Sequence, residues 1–112
     1  MLDPITSHLA SYMDLLSARQ KLVASNLANI DTPGYRTKDI DFQFEYTSRI
    51  ADTPPRVTEV QGLQVNNDGN NVNLDRETRL LSENAMRFNV AANLLRYQLQ
   101  MTRMAIEEGK SS

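Results

Sequence analysis

The chain has 112 residues, enough for one small domain, and hydrophobic residues make up 40% of it. The absence of Trp and the scarcity of other aromatic residues favour packing through aliphatic helix faces over a large compact core. A net charge of −2 is not the electrostatic signature of a nucleic-acid-binding protein. The chain has no Cys, which excludes disulfides, thiol catalysis and Cys-ligated metal sites.

No apolar run approaches the roughly 20 residues needed to span a bilayer. The first five residues have neither the basic leader nor the apolar core of a secretory signal. We therefore expect a protein that either stays in the cytoplasm or leaves it without cleavage of a signal.

Residues 1–31 are predicted to form an N-terminal helix, with Asp3 as its N-cap and Pro4 at its first position. The helix should end near residue 30, because Pro33 disfavours helical geometry before it. Thr32-Pro33-Gly34-Tyr35 then fits a type II turn, in which Gly34 supplies the positive φ. One helix face carries apolar residues spaced by three and four, with Arg19 and Asn26 in the remaining places: Ile5, Leu9, Tyr12, Leu16, Val23 and Ile30.

Residues 32–75 form a turn and extended segment of different composition. Alternation over residues 39–44 predicts a short strand, and residues 56–60 and 63–65 are candidate strands of a β-hairpin. A segment of this length with so little regular structure is unusual inside a compact domain. It is either a small β excursion or a loop that a partner orders.

Residues 76–112 carry the clearest helix pattern, predicted to run from about residue 76 to residue 108. Its main stripe alternates four and three without a break: Leu81, Ala85, Phe88, Ala92, Leu95, Leu99, Thr102 and Ile106. A second stripe lies beside it: Leu80, Ala91, Leu94, Met101 and Ala105. Asp75 is the expected N-cap, with Glu77 favouring the first turn.

These segments predict a mainly α fold, in which two long terminal helices pack antiparallel as a coiled-coil-like pair around a long irregular connection. Maximal overlap of the stripes pairs Ile5 with Ile106 and Leu16 with Leu95. A three- or four-helix bundle is disfavoured, because the middle segment shows no helix. One helix pair leaves the second stripes exposed, so we expect residues 1–30 and 80–112 to exchange amide hydrogens rapidly until assembly.

Candidate catalytic and metal sites are weak. A calcium loop around Gly69 lacks a preceding helix and places Asp75 where a Glu is wanted, so a turn is favoured. Asp39 and Asp41 are interpreted as solvated or ion-paired acids, and His8 as a surface or interface residue. No cofactor site, metal site or enzymatic activity is predicted.

Polar residues on the helices have two interpretations. Asn26, Asn29, Asn84, Asn89 and Asn93 either lie on the surface or form hydrogen bonds across interfaces that fix register. The arginines of the last segment do not share one face and are interpreted as surface and salt-bridge groups: Arg76, Arg79, Arg87, Arg96 and Arg103.

Residues 25–36 resemble the N-terminal signature of the flagellar axial family, which includes rod, hook and hook-junction proteins. The resemblance lies in a helix that ends in Asn26-Leu27-Ala28-Asn29 and runs through Asp31 into Thr32-Pro33-Gly34-Tyr35. Two further stretches, residues 38–42 and 68–77, resemble the short proximal rod members of that family. The polar end, residues 107–112, departs from the pattern.

The resemblance implies a structural subunit of the bacterial flagellar basal-body rod, exported unfolded by the flagellar type III apparatus. It implies assembly outside the cytoplasmic membrane, in the periplasm of a Gram-negative cell, with the terminal helices forming a hollow tube. The implied partners are copies of itself, other rod proteins, a rod-to-ring adaptor, and components of the export gate and inner-membrane ring. The alternative is a small helical adaptor or secretion chaperone that binds a client helix and forms a stable dimer.

Overall fold

The computed structural model describes residues 3–48 and 53–111. Three helices and two short strands lie within these ranges: α1 (Pro4–Ala28), β1 (Lys38–Ile40), α2 (Phe42–Ser48), β2 (Val57–Glu59) and α3 (Leu74–Ser111). The long helices α1 and α3 pack antiparallel in a body 71 Å long and 25 × 17 Å across. This confirms the predicted fold class of two long terminal helices joined by an irregular segment. No helix within the described ranges is long and apolar enough to cross a membrane.

Helix α1 begins and ends as its sequence predicts. The Asp3 carboxylate accepts a hydrogen bond from the Thr6 backbone N–H at 2.7 Å, and Pro4 occupies the first helical position. The Thr6 backbone hydrogen bond is the main cause that lowers the pKa of Asp3. After the helix, Tyr35 N donates to Thr32 O at 3.2 Å and Gly34 has φ 76°, as the predicted turn requires.

The start of α3 differs from the sequence-based expectation. Asn73, not Asp75, is the N-cap, because Asn73 Oδ1 accepts a hydrogen bond from Arg76 N at 2.8 Å. Asn and Asp are comparable N-cap residues, so the earlier position gives a longer helix at no loss in capping. Asp75 and Glu77 lie in the first turn, where negative charge favours the helix N-terminus.

The middle segment contains a helix where we predicted a strand. The strand ends at Ile40, and Asp41 caps α2 by accepting a hydrogen bond from Phe44 N at 3.1 Å. Phe42 and Tyr46, four residues apart, both contact the Tyr12 ring edge to face, with centroids 5.7 and 5.6 Å away. The i, i+4 aromatic pair therefore outweighed the short alternating pattern. The premise that this segment has no helix was wrong.

The small sheet also pairs differently from the predicted hairpin. β2 pairs antiparallel with β1, so that Thr58 lies opposite Asp39, and residues 63–65 are not its partner. Val60 N extends the contact by donating to Thr37 O at 2.9 Å. Gly62, with φ 81°, then turns the chain away from β2.

The register of the long helices is displaced by about one heptad from the prediction. Asn26 donates to Glu77 at 2.6 Å instead of lying opposite Ala85, and Asn84 donates to Gln20 at 3.1 Å. Leu16 is therefore about level with Phe88, not Leu95. Maximal apolar overlap was the wrong criterion, because buried polar contacts near the turn fix the alignment.

The core is small and lies along the helix pair. Leu15, Leu16 and Val23 of α1 are buried against a face of α3 that includes Leu80 and Ala91. At the other end of the pair, Gln98 donates to the Asp3 carboxylate at 3.4 Å. Helix α3 then continues through residues 99–111, past the level at which α1 begins.

Candidate assembly interface

Asn26 is the hub of the turn end, which we call the junction and define as residues 26–40 and 66–77. Its side chain is fully buried. The amide nitrogen donates to Glu77 Oε1 at 2.6 Å and to Lys38 O at 2.9 Å. The amide oxygen accepts from Tyr35 Oη at 2.9 Å and from Lys38 N at 3.1 Å. One satisfied side chain thus joins α1, the turn, β1 and α3.

An ion network lies beside this hub. The buried Asp39 carboxylate accepts a bidentate pair from Arg19, at 3.0 and 2.9 Å, and a third bond from Arg76 at 2.6 Å. Arg76 also pairs with the fully buried Glu77. Burial acts to lower the pKa of Arg76, but the hydrogen bonds and charges of Glu77 and Asp39 outweigh burial and raise it. Two cations and two carboxylates therefore compensate each other at partly buried positions.

Two asparagines clamp the turn from the other side. The Asn70 amide donates to the backbone oxygens of Asn29 and Thr32, both at 2.9 Å. Asn71 Oδ1 accepts from Thr37 N at 2.6 Å. These contacts agree with the predicted turn role of this run. Among the described residues, no group of three or more His, Cys, Asp or Glu side chains is placed to hold a metal ion.

The residues of the predicted turn motif fall into two groups. Asn26 and Tyr35 form the hub, and the Asn29 amide holds the end of α1 by donating to Ser25 O at 2.8 Å. Asn29 Oδ1 accepts from the Thr32 hydroxyl at 3.0 Å. The remaining members are exposed and present an outer rim of the junction: Asp31, Pro33 and Gly34.

Sequence reasoning missed most of the ion network. It treated Arg19 as an interruption of an apolar stripe, Arg76 as one of several surface arginines, and Glu77 as a first-turn acid. The signal available was that polar residues occupy two places in the α1 stripe, Arg19 and Asn26, near the turn. Charged residues on an inward face require partners, and Asp39 and Glu77 are those partners.

The predicted assembly faces are only partly used inside the chain. Leu16 and Val23 are buried, and Leu9, Tyr12, Ile30 and Leu95 are half-buried. The others are exposed: Ile5, Leu81, Phe88, Leu99 and Ile106. Helix α3 turns Leu80, Asn84 and Ala91 towards α1, so its most regular stripe lies beside α1 and not beneath it. We call this set the α3 stripe: Leu81, Ala85, Phe88, Ala92, Leu95, Leu99, Thr102 and Ile106.

Of the five helix asparagines, Asn26 and Asn84 make hydrogen bonds across the helix pair, and Asn29 holds the end of its own helix. Asn89 and Asn93 are exposed. The interface interpretation therefore applies to Asn26 and Asn84, and the surface interpretation to Asn89 and Asn93.

Two depressions flank these faces. An apolar groove of about 200 Å³ lies between α1 and α3, lined by Leu9, Tyr12, Met86, Arg87, Val90, Ala91 and Leu94. A polar depression of about 510 Å³ lies beside the turn, lined by residues 30–31 and 64–68, and is widely open to solvent.

The end of α3 that continues past α1 forms a third feature, the overhang, defined as residues 99–110. Every side chain in this range is exposed. Leu99 is 47% exposed and Ile106 is 55% exposed. Arg103 and Glu107 pair at 3.5 Å on its surface. Such a length of exposed, regularly spaced apolar side chains is typical of interaction surfaces.

Comparison with known proteins gives a consistent picture. Residues 8–36 match the family described as Flagella basal body rod protein. The chain is 30% identical to "Flagellar basal body rod protein FlgB" of Escherichia coli (strain K12), over 87% of this chain and 88% of that protein. It is 28% identical to the proteins of the same name in Borreliella burgdorferi, over 74% and 81%, and in Salmonella typhimurium, over 79% and 82%.

Proposed function

This chain belongs to the family of flagellar basal body rod proteins FlgB, and from that premise we propose that it is a rod subunit assembling through its terminal helices. The observation that carries the proposal is the α3 stripe. It is the most regular apolar pattern in the sequence, and α1 leaves much of it exposed. A stripe that runs the length of a helix is suited to parallel contacts with further helices.

The two ends of the molecule support complementary roles in such an assembly. Buried hydrogen bonds and ion pairs among its own residues hold the junction together, so it sets the register of the helix pair. The overhang provides apolar surface without internal cover. We propose that the helices contribute to the wall of a hollow axial tube in the basal body, outside the cytoplasmic membrane, and contact other rod proteins there. Delivery by the flagellar type III apparatus is part of this proposal.

A matched pair of substitutions tests the role of the α3 stripe in cells. Leu99→Asp places a charge on the stripe, whereas Gln100→Asp places the same charge on the adjacent polar face. Both positions are exposed, so both variants should fold with an unfolding free energy within about 0.5 kcal/mol of the parent. We expect the first variant to abolish motility and incorporation into purified basal bodies, and the second to preserve both.

The opposite result has a clear meaning. If a strain lacking this chain remains motile, or if tagged chain never co-purifies with basal bodies, the rod function is wrong. A stable dimer at nanomolar concentration that captures a client helix would favour the chaperone alternative.

A further inference from the structure

Three of the methionines lie on one exposed side of α3. The chain has five Met, and Met86, Met101 and Met104 are 64%, 48% and 50% exposed. About five full turns separate Met86 from Met104 at ~3.6 residues per turn, and Met101 lies about 60° from both around the helix axis. Val90 and Tyr97 fall within the same arc and are also exposed. We call this set the methionine face: Met86, Val90, Tyr97, Met101 and Met104.

The described part of the chain contains one other methionine, which provides an internal comparison. Met13 lies on α1 and is half-buried. Met1 lies outside the described residues. Because the chain has no Cys, thioethers are its only sulfur groups, and no faster-reacting thiolate competes with them for an oxidant. Exposure therefore decides which methionine reacts first.

We propose that Met86, Met101 and Met104 are a modification site for two-electron oxidants such as hydrogen peroxide, and that oxidation there makes the methionine face polar and hinders assembly. The lone pair of each sulfur attacks one peroxide oxygen, so an S–O bond forms and the O–O bond breaks. The hydroxide that leaves takes the hydrogen of the transferred oxygen and becomes water. The thioether is oxidised to a sulfoxide while the peroxide is reduced, and methionine sulfoxide reductases reverse the change.

Oxidation at these positions changes the character of one whole side of α3. Methionine is apolar and polarisable, whereas its sulfoxide is polar and chiral. Met86 lines the apolar groove between α1 and α3 together with Leu9 and Val90, and Met101 and Met104 lie in the overhang. The same reaction therefore adds polar groups to the groove and to the overhang.

The effect on assembly rests on the proposed function. At ~100° per residue, the methionine face and the α3 stripe lie about half a turn apart, so the second half of α3 is apolar on two opposite sides. A helix that is apolar around most of its circumference is typically buried. We therefore expect the sulfoxide form to enter the rod less readily than the thioether form.

Oxidation kinetics of the dilute, full-length chain test the site itself. Samples treated with hydrogen peroxide are quenched at intervals and digested with trypsin, which cleaves after the α3 arginines and so places the three methionines in separate peptides. Mass spectrometry then gives one rate for each methionine. In the folded chain we expect Met86, Met101 and Met104 to react at least about threefold faster than Met13, because they are more exposed.

The same measurement in urea is the control, since all four methionines should then react at similar rates. A Met13 rate equal to the others in the folded chain overturns the proposal, as does protection of any of the three on α3. This test uses the free chain, so its outcome does not depend on the rod function.

Matched triple variants test the effect on assembly in cells. Met86→Gln, Met101→Gln and Met104→Gln together imitate the polar sulfoxides. Met86→Leu, Met101→Leu and Met104→Leu together keep the face apolar and have no oxidisable sulfur. Both variants should retain the helicity of the parent by circular dichroism, because all three positions are exposed. We expect the Gln variant to lose incorporation into purified basal bodies and the Leu variant to match the parent.

Two results overturn the link between oxidation and assembly. One is full incorporation of the Gln variant, and the other is equal loss in both variants, which would mean that polarity is not what matters. Absence of the parent chain from basal bodies instead contradicts the rod function, so the two failures are distinguishable.

Discussion

The two ends of α3 are built on opposite principles. At the junction, polar side chains such as Asn26, Glu77 and Asn70 are fully buried and each has defined partners. At the overhang, apolar side chains such as Leu99 and Ile106 are exposed. The difference teaches that polar contacts fix the alignment of this helix pair, while part of its apolar pattern is directed outward.

Geometry explains why the division takes this form. A hydrogen bond of 2.6 Å between Asn26 and Glu77 tolerates no slippage, since a buried polar group without a partner costs about 1–3 kcal/mol. An apolar heptad stripe can be buried against a second stripe at any displacement of a multiple of seven residues, and these alignments differ only in how well the side chains pack. The junction therefore specifies one register of α1 against α3, and the overhang provides an apolar surface against which another helix can pack.

The largest expected contrast is in amide hydrogen exchange of the dilute monomer. We expect residues 16–28 and 74–84 to open with the global unfolding free energy, about 5–15 kcal/mol for natural domains, and residues 99–111 to open at close to zero cost. Exchange followed by mass spectrometry measures this gradient. For residues 16–28 and 80–84 this prediction replaces the expectation of rapid exchange, because their side chains include buried ones. Equal protection along all of α3 would remove the distinction between its two ends.

Truncation of matched leucines should reproduce the contrast in unfolding free energy. Leu16 is 1% exposed between the helices, so Leu16→Ala should cost about 3 kcal/mol through lost burial and a cavity. Leu99→Ala, in the overhang, should change the unfolding free energy of the monomer by less than about 0.5 kcal/mol. Urea denaturation followed by circular dichroism measures both, and similar losses for the two variants would contradict the structure.

The ion network offers a similar comparison between two acids. Asp39→Ala removes the shared partner of Arg19 and Arg76 and should cost about 2–3 kcal/mol, since a broken buried ion pair leaves charge uncompensated. Asp31→Ala, on the exposed rim of the turn, is the control and should stay within about 0.5 kcal/mol of the parent. Denaturant-induced unfolding of both variants measures the difference in their unfolding free energies. An Asp39 variant as stable as the control would mean that the network is not structurally important.

The effect of replacing a glycine of positive φ should depend on the space around it as well as on φ. Gly69 has φ 88°, and an added Cβ would lie 3.3 Å from Gly34 Cα, so Gly69→Ala should cost about 2 kcal/mol. Gly62 has φ 81° with open space around it, so Gly62→Ala should cost about 1 kcal/mol. Thermal denaturation of the two alanine variants checks the order, and a larger loss at Gly62 would reverse it.

We also predict that Gly34→Val impairs assembly, read out as motility, far more than Gly62→Ala. Both positions have positive φ and open space for a Cβ. The difference therefore depends on the β-branched side chain of valine.

The smallest effect concerns the cap at the open end of α1. The pKa of Asp3 is lowered on folding, so its contribution is present above the unfolded value near 3.9 and is lost as pH falls through the folded value. Asn caps helices as well as Asp but does not titrate, so Asp3→Asn should reduce the acid-induced loss of helicity. Circular dichroism between pH 5 and pH 2 compares the variants. Identical titrations would show that the cap does not contribute.

The sequence predicted the long helices, the turn and the antiparallel fold because each has a local signature. Asp3-Pro4 marks a helix start, Pro33-Gly34 marks a turn, and the unbroken spacing from Leu81 to Ile106 marks a long helix. These features depend on neighbours within a few residues, so pattern alone reveals them.

The sequence did not predict features that depend on distant pairs. Asn26 and Glu77 are 51 positions apart, and nothing local shows that they meet. The register followed from such pairs, so an estimate from apolar overlap missed it by a heptad. Helix α2 was missed because residues 39–44 alternate like a strand, while the decisive contact with Tyr12 lies far away in the chain.

The position of the junction also determines the order in which contacts can form. Bringing Asn26 and Glu77 together closes the segment between them and incurs the main loop-closure entropy cost of folding. Each further layer of contacts between α1 and α3 then lies one helical turn from a layer that has already formed. We therefore expect helix pairing to extend from the junction towards Asp3 and Gln98. The overhang lies beyond the last paired layer, so its apolar side chains stay accessible to a neighbouring molecule.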